Sequence, residues 1–198
     1  MLGAALLLLW GAATARSRLL AAEALGAFAA SAAVDQSNWS PERIKAYAAT
    51  RGSTAPAPLA VLSVPRLSLT VPVLEGVDPA VLDRGAGHIP ETASPGTAGN
   101  VGIAGHRDGF FRSLKDIRTG DEVQLETPEG REIYVVEKTW IVDPEDLSVL
   151  APTPGPAVTL VTCYPFYYVG SAPRRFIVRA VRASGTASTP AGRSVETR

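Results

Sequence analysis

The chain has 198 residues, 46% of them hydrophobic and 19% charged, which suits one ordinary globular domain with extensions. Lys+Arg and Asp+Glu balance at 19 each, and a formal net charge of zero argues against a general nucleic-acid binder, which carries a basic excess. One cysteine excludes an intrachain disulfide and a multi-cysteine zinc site, and two histidines leave little room for a metal centre.

Residues Leu2 to Ala15, LGAALLLLWGAATA, are apolar and uncharged. The run is shorter than the ~20 residues a bilayer-spanning helix needs. It reads as a signal-peptide core or as part of a signal anchor. Arg16 and Arg18 follow it and no basic residue precedes it, so the positive-inside rule taken alone would keep the downstream domain in the cytoplasm. Arg18 to Ala33 is alanine-rich and is expected to continue the anchor as a helical stalk. Ser40-Pro41 supplies an N-cap with proline at the first helical position, which predicts a short helix over 41–49. Gly52, Ser53, Pro56 and Pro58 then mark a linker.

From Leu59 onward the pattern changes to short strands. Leu59 to Val64 is a strand limited by Pro65, and Leu67 to Leu74 is a second, largely alternating one. Asp78-Pro79 caps a single helical turn, and the glycines and prolines between Gly85 and Gly99 mark a long loop. Asn100 to Ala104 is a strand that delivers His106 at its end. Phe110 to Leu114 is a short helical turn. Strands are predicted over 122–126, 132–138, 139–142 and 158–162, and another opens at Arg175 with Phe176-Ile177-Val178. Many short strands with little helix predict a mainly β chain with a single closed or nearly closed barrel. The expected organisation is a signal or anchor and stalk over 1–33, a short helix and linker over 34–58, the barrel over 59–183 and a disordered Pro/Gly/Ser/Thr-rich tail over 184–198.

The sole thiol, Cys163, ends the β-branched run Val158-Thr159-Leu160-Val161-Thr162. A lone cysteine in such a run is most often a small buried hydrophobe. Its company suggests more. A thiol at a strand end and an arginine opening the next strand can meet across one loop, and His106 sits at the end of another strand. A neighbouring imidazole or guanidinium favours the thiolate, a histidine can hand a proton to a departing amine, and an arginine can stabilise an oxyanion. These three residue types suffice for acyl transfer through a thioester.

The surrounding motifs are specific. Thr159-Leu160-Val161-Thr162-Cys163 resembles the T-L-x-T-C signature of sortases, the cysteine transpeptidases of bacterial surfaces. Ile103-Ala104-Gly105-His106-Arg107 is similar to their histidine motif, and Arg175-Phe176-Ile177-Val178 to their arginine followed by three apolar residues. The resemblance runs from about Val61 to Ala183, and the flanking GHRDGFFRSLKDIRTG and CYPFYYVGSAP look most like the class D branch.

That resemblance implies a sortase-type β-barrel of about eight strands and no cofactor. It implies that Cys163 attacks the threonine carbonyl of an LPxTG-like sorting signal. The acyl-enzyme would then be resolved by an amine, typically of a peptidoglycan precursor. His106 would be the acid/base, and Arg175 would bind the oxyanion or the substrate backbone. The expected partners are proteins bearing a C-terminal sorting signal, with the catalytic domain outside the cytoplasm and held at the cell membrane by the N-terminal segment. No acidic cluster marks a calcium site.

Strand alternation adds an expectation of its own. Thr159, Val161 and Cys163 share one face, as do Arg175 and Ile177. Val161 and Ile177 would then line a substrate groove, while Leu160, Phe176 and Val178 face the barrel interior. His88, in Gly85-Ala86-Gly87-His88, is the other histidine; its expected place is that of a packed or hydrogen-bonded loop residue. Two other classes stay open at this point. A papain-type hydrolase would place its cysteine before its histidine, the reverse of the order here. A surface barrel with an idle cysteine would make neither thioester nor product.

Overall fold

The computed structural model describes residues 34–50, 57–167 and 170–183. The apolar segment and stalk expected over 1–33, and the tail expected over 184–198, lie outside the described residues. Among the described residues no helix is long and apolar enough to cross a membrane.

Eight strands form a closed barrel: β1 (Ala60–Val64), β2 (Leu69–Glu75), β3 (Ala86–His88), β4 (Asn100–Gly105), β5 (Glu122–Thr127), β6 (Gly130–Val142), β7 (Ala157–Tyr164) and β8 (Arg174–Arg182). Their order round the barrel is β1-β2-β3-β4-β7-β8-β6-β5, with β5 pairing back to β1. The pairs β2·β3 and β4·β7 are parallel and the rest antiparallel. Closure leaves no unpaired sheet edge.

The interior follows the alternation in the sequence. Leu62 and Val64 of β1, Val71 and Val73 of β2, and Val123 and Leu125 of β5 all enter one buried cluster. Leu160 and Val178 join it, with Phe176 packed against it, as the sequence pattern predicts. Burying each such Leu or Val is worth about 1.5–3 kcal/mol.

Three elements differ from the sequence reading. The glycine-rich loop contains β3, whose ladder uses backbone groups alone and so needs no β-forming side chains. The strands expected over 132–138 and 139–142 are one strand, β6, whose register against β8 shifts between Val136 and Lys138. A bulge of that kind bends a strand without ending it. The connection from β6 to β7 carries a 3-10 turn, η3 (Leu147–Leu150), that roofs the outer face of β7 and β8.

The segment before the barrel is docked on it. Helix α1 (Pro41–Thr50) starts at Ser40, whose Oγ accepts the Arg43 N–H at 3.2 Å. Trp39 belongs to the buried cluster. Its ring stands 4.7 Å from that of Phe110, edge to face, with Tyr47 5.5 Å from both. Such aromatic pairs add about 0.5–1.5 kcal/mol beyond the area they bury. Phe110 opens the 3-10 segment η2 (Phe110–Asp116), which follows His106, so α1 lies beside the histidine.

Candidate active site

Register assembles the site. Cys163 on β7 lies directly opposite Arg175 on β8. Opposite residues of an antiparallel pair share a sheet face, so thiol and guanidinium rise on the same, outer side. On the other flank, Gly105 of β4 is the partner of Thr162 in the parallel ladder. His106 is the next residue and therefore stands at the level of Cys163. Three neighbouring strand ends thus bring together the three residues singled out in the sequence, although they are spread from 106 to 175 along the chain.

The threonines of the T-L-V-T-C run hold this alignment. Thr162 is buried, and its hydroxyl donates to the Gly105 carbonyl at 2.7 Å, pinning β7 to the residue before His106. Thr159 donates to Asn100 Oδ1 at 2.6 Å at the start of the same strand pair. Asn100 in turn donates to the carbonyls of Val149 and Ala151, fixing the roof over the outer face. In the sequence these threonines read only as motif letters and β-formers. Their buried hydroxyls acquire this role only when β4 lies beside β7.

Gly105 is required for space. A Cβ there would approach the Phe111 ring to 2.7 Å. The absence of that atom lets η2 fold back against β4 directly after His106.

The loop between β7 and β8 is tied to the histidine segment. Arg107 donates to the carbonyls of Pro165 at 3.2 Å and Gly170 at 2.9 Å. Arg112 donates to the Phe166 carbonyl, and its guanidinium stands 4.1 Å from the Tyr167 ring. The Gly-His-Arg segment therefore both supplies His106 and anchors the loop that joins Cys163 to Arg175.

The electrostatics single out His106. Burial holds its imidazole below the ordinary histidine value of 6.5, and the Arg43 cation adds to the effect, while Asp108 and Asp83 oppose it. His106 Nε2 lies 3.7 Å from Asp83 Oδ1. A neutral imidazole at neutral pH is the form that can take a proton from a thiol. Arg175 is part-exposed; its Nη1 donates to the carbonyls of Ala172 and Arg174. Arg174 is more exposed and lies 3.7 Å from Asp143 Oδ1, at the solvated end of the strand.

The two expected groove residues part company. Val161 is partly exposed on the face of Cys163. Its partner Ile177 has no exposed surface: it forms a second apolar cluster with Val142 and Val149, against which Trp140 and Leu150 pack. The η3 roof supplies that cover. A peptide beside Cys163 would meet Val161, with Ile177 supporting the floor from beneath.

His88 is placed elsewhere. It is buried in β3, with Nε2 donating to the Ala93 carbonyl at 3.0 Å and Nδ1 3.2 Å from Glu75 Oε1. Among the described residues no group of three or more His, Cys, Asp or Glu is arranged to hold a metal ion.

Fold and site together define a closed eight-stranded barrel with a cysteine–histidine–arginine site at its strand ends. A family model described as the sortase domain matches residues 62–183. The chain belongs to the sortase family. Among its relatives is sortase D of Bacillus subtilis (strain 168), 35% identical over 125 residues, which are 63% of this chain and 63% of that protein. The matched part therefore spans less than two thirds of that relative's length. Among solved structures, a Clostridium perfringens sortase D5 transpeptidase is 26% identical with a TM-score of 0.59, covering 74% of this chain and 90% of that one. Sortase E1 from Streptomyces coelicolor is 32% identical with a TM-score of 0.58, covering 66% of this chain and 91% of that one.

Proposed function

We propose that this chain is a cysteine transpeptidase that cleaves an LPxTG-like sorting signal and transfers the acyl group to an amine. The observation that carries the reading is the register of β4, β7 and β8, which sets His106, Cys163 and Arg175 side by side.

The steps follow from the three groups. The Cys163 thiol passes its proton to neutral His106, and the thiolate attacks the threonine carbonyl carbon. The oxyanion of the tetrahedral intermediate is stabilised by N–H groups of Arg175. As the intermediate collapses the C–N bond breaks, and the departing amine takes the proton back from His106. The product is a thioester on Cys163. An incoming amine attacks that thioester and gives up a proton through His106, and Cys163 leaves as the sulfur of a restored thiol. Val161 contributes an apolar contact for the signal beside the thiol.

The family's surface substrates support an acceptor amine on a peptidoglycan precursor and client proteins with a C-terminal sorting signal. The apolar run Leu2 to Ala15 supports an N-terminal membrane anchor, and the family's surface substrates, against the charge order at Arg16 and Arg18, support a barrel outside the cytoplasm. Protease treatment of intact spheroplasts tests that placement; a barrel protected until the membrane is lysed would contradict it.

The chemistry is tested by mixing the protein with a panel of LPxTG-like peptides and triglycine, then reading ligated product and acyl-enzyme by mass spectrometry. Cys163→Ala is expected to stay folded and to give neither species. Ligation by that variant would overturn the assignment. Cleavage without ligation by the unaltered protein would make it a hydrolase.

A further inference from the structure

The active-site histidine is bordered by a charge network whose cation comes from outside the barrel. Arg43 on α1 is part-buried, with 17% of its side chain exposed. It pairs with Asp83, just past the helical turn α2 (Pro79–Leu82), and its Nε donates to Asp108 Oδ1 at 3.3 Å. Asp108 Oδ2 accepts the Ser40 hydroxyl at 3.1 Å, and the Asp108 carbonyl accepts the Ser40 N–H at 3.2 Å. The same Ser40 caps α1 one turn before Arg43. Gly109 lies under the Arg43 stem, where a Cβ would stand 3.0 Å from its Cγ.

These contacts converge on His106 from three parts of the chain. The charged groups that border it are Arg43 from α1, Asp83 from the end of α2 and Asp108 from its own loop. Beyond them lie Cys163 and Arg175 on β7 and β8. Two carboxylates beside an imidazole favour its protonated form. An imidazolium cannot accept the thiol proton. A cation paired with both carboxylates offsets one of the two negative charges and so weakens that bias on the ring.

We propose that Arg43 is a positioning residue of the active site: by pairing Asp83 and Asp108 it docks the segment ahead of the barrel on the histidine loop and offsets part of the negative charge that borders His106. This rests on reading His106 as the acid/base. It makes the stretch around residues 40–43 part of the catalytic apparatus, although it precedes every strand. The balance of effects on Asp108 agrees: burial pushes its carboxyl up, but Arg43 and the Ser40 hydroxyl outweigh this and hold it below the usual carboxylate range.

The test compares Arg43→Gln, Arg43→Lys and Asp83→Asn with the unaltered chain in two readouts. One is kcat/KM for peptide ligation against pH. The other is the NMR titration of the His106 imidazole, assigned by its loss in His106→Gln. Arg43→Gln is expected to move both the acid limb and the His106 titration upward by roughly one pH unit, with about a tenfold loss of kcat/KM below the limb and little change in KM. Arg43→Lys keeps the charge and should recover most of the shift. Asp83→Asn removes a carboxylate and should move the titration downward. A folded Arg43→Gln protein whose His106 titrates as in the unaltered chain overturns the proposal. Should Arg43→Gln fail to fold, Asp83→Asn decides alone, and a titration that does not fall overturns it equally. An unaltered protein that ligates no peptide would refute the transpeptidase reading instead, and the titrations would still decide the role of Arg43.

Discussion

The two histidines of this chain belong to adjacent parts of the barrel, His88 within β3 opposite Ile103 and His106 just past the end of β4, and are held in opposite ways. His88 is 6% exposed at its side chain, with Nε2 bonded to Ala93 and near Thr92, and Nδ1 beside Glu75. His106 is 28% exposed, and among the described residues its ring makes no hydrogen bond; its nearest carboxylate oxygen is 3.7 Å away. A ring whose two nitrogens are both engaged in holding a loop cannot trade a proton at each turnover without loosening that loop. A ring kept in place by packing and bordered by charges of both signs can. The first arrangement suits a structural role, and the second suits the acid/base role proposed for His106.

The sharpest way to break this comparison is to remove each ring in turn. His106→Ala is expected to lower kcat for ligation by on the order of 10²–10⁴-fold, the usual contribution of a positioned acid/base, with the melting temperature nearly unchanged. Equal losses for His88→Ala and His106→Ala in folded proteins would erase the distinction. Loss with His88→Ala alone would reverse the assignment.

The two arginines that open β8 repeat the contrast on a smaller scale. Arg175 faces with Cys163 across the ladder, while Arg174 is largely solvated beside Asp143. Lysine keeps the charge but not the planar fork of donors. Arg175→Lys should therefore cost on the order of 2.7–4 kcal/mol of transition-state stabilisation, read as kcat. Arg174→Lys should be nearly silent, since an exposed pair contributes about 0–1 kcal/mol. If the Arg174 variant is the one that loses turnover, the placement of the oxyanion donor is wrong.

Much of this was readable before the fold. Alternation over 60–74 and 122–127 reports strands with one buried face, and the strand-end positions of His106, Cys163 and Arg175 follow from the same reasoning. What escaped the sequence depends on closure of the barrel. β3 has glycine and histidine where a strand should show β-branched residues, because its neighbours supply the pairing and the burial. Ile177 alternates with the groove face, yet η3 covers it, and nothing in the local pattern of 147–150 announces a roof. Asp83 and Asp108 lie 40 and 65 residues from Arg43 along the chain. No periodicity links them, and Arg43 reaches the site only when the segment around Trp39 and Ser40 docks on the barrel.

The smallest effect sought is on stability, and it tests the other half of the comparison. If His88 is a structural hub, its loss must appear in the fold and not in turnover. Its contact with Glu75 adds little, because that carboxylate is 63% exposed and well screened. The larger share comes from the buried side, where Nε2 satisfies the Ala93 carbonyl and approaches the Thr92 hydroxyl at 3.2 Å. Thr92 Oγ1 also donates to Ile89 and accepts the Gly102 N–H, so the ring packs beside the residue that fastens the loop after β3 to β4. Removing it leaves a part-buried carbonyl without its donor, a change that costs up to about 1–3 kcal/mol. His88→Ala should therefore lower the unfolding free energy obtained from the urea titration by an amount in that range, with kcat at saturating peptide within about twofold of the unaltered protein. Urea unfolding followed by tryptophan fluorescence, alongside the ligation assay at a temperature where both proteins are folded, measures the two quantities independently. A His88→Ala protein that is as stable as the parent would remove the structural role, and one that is stable but slow would move His88 into the chemistry.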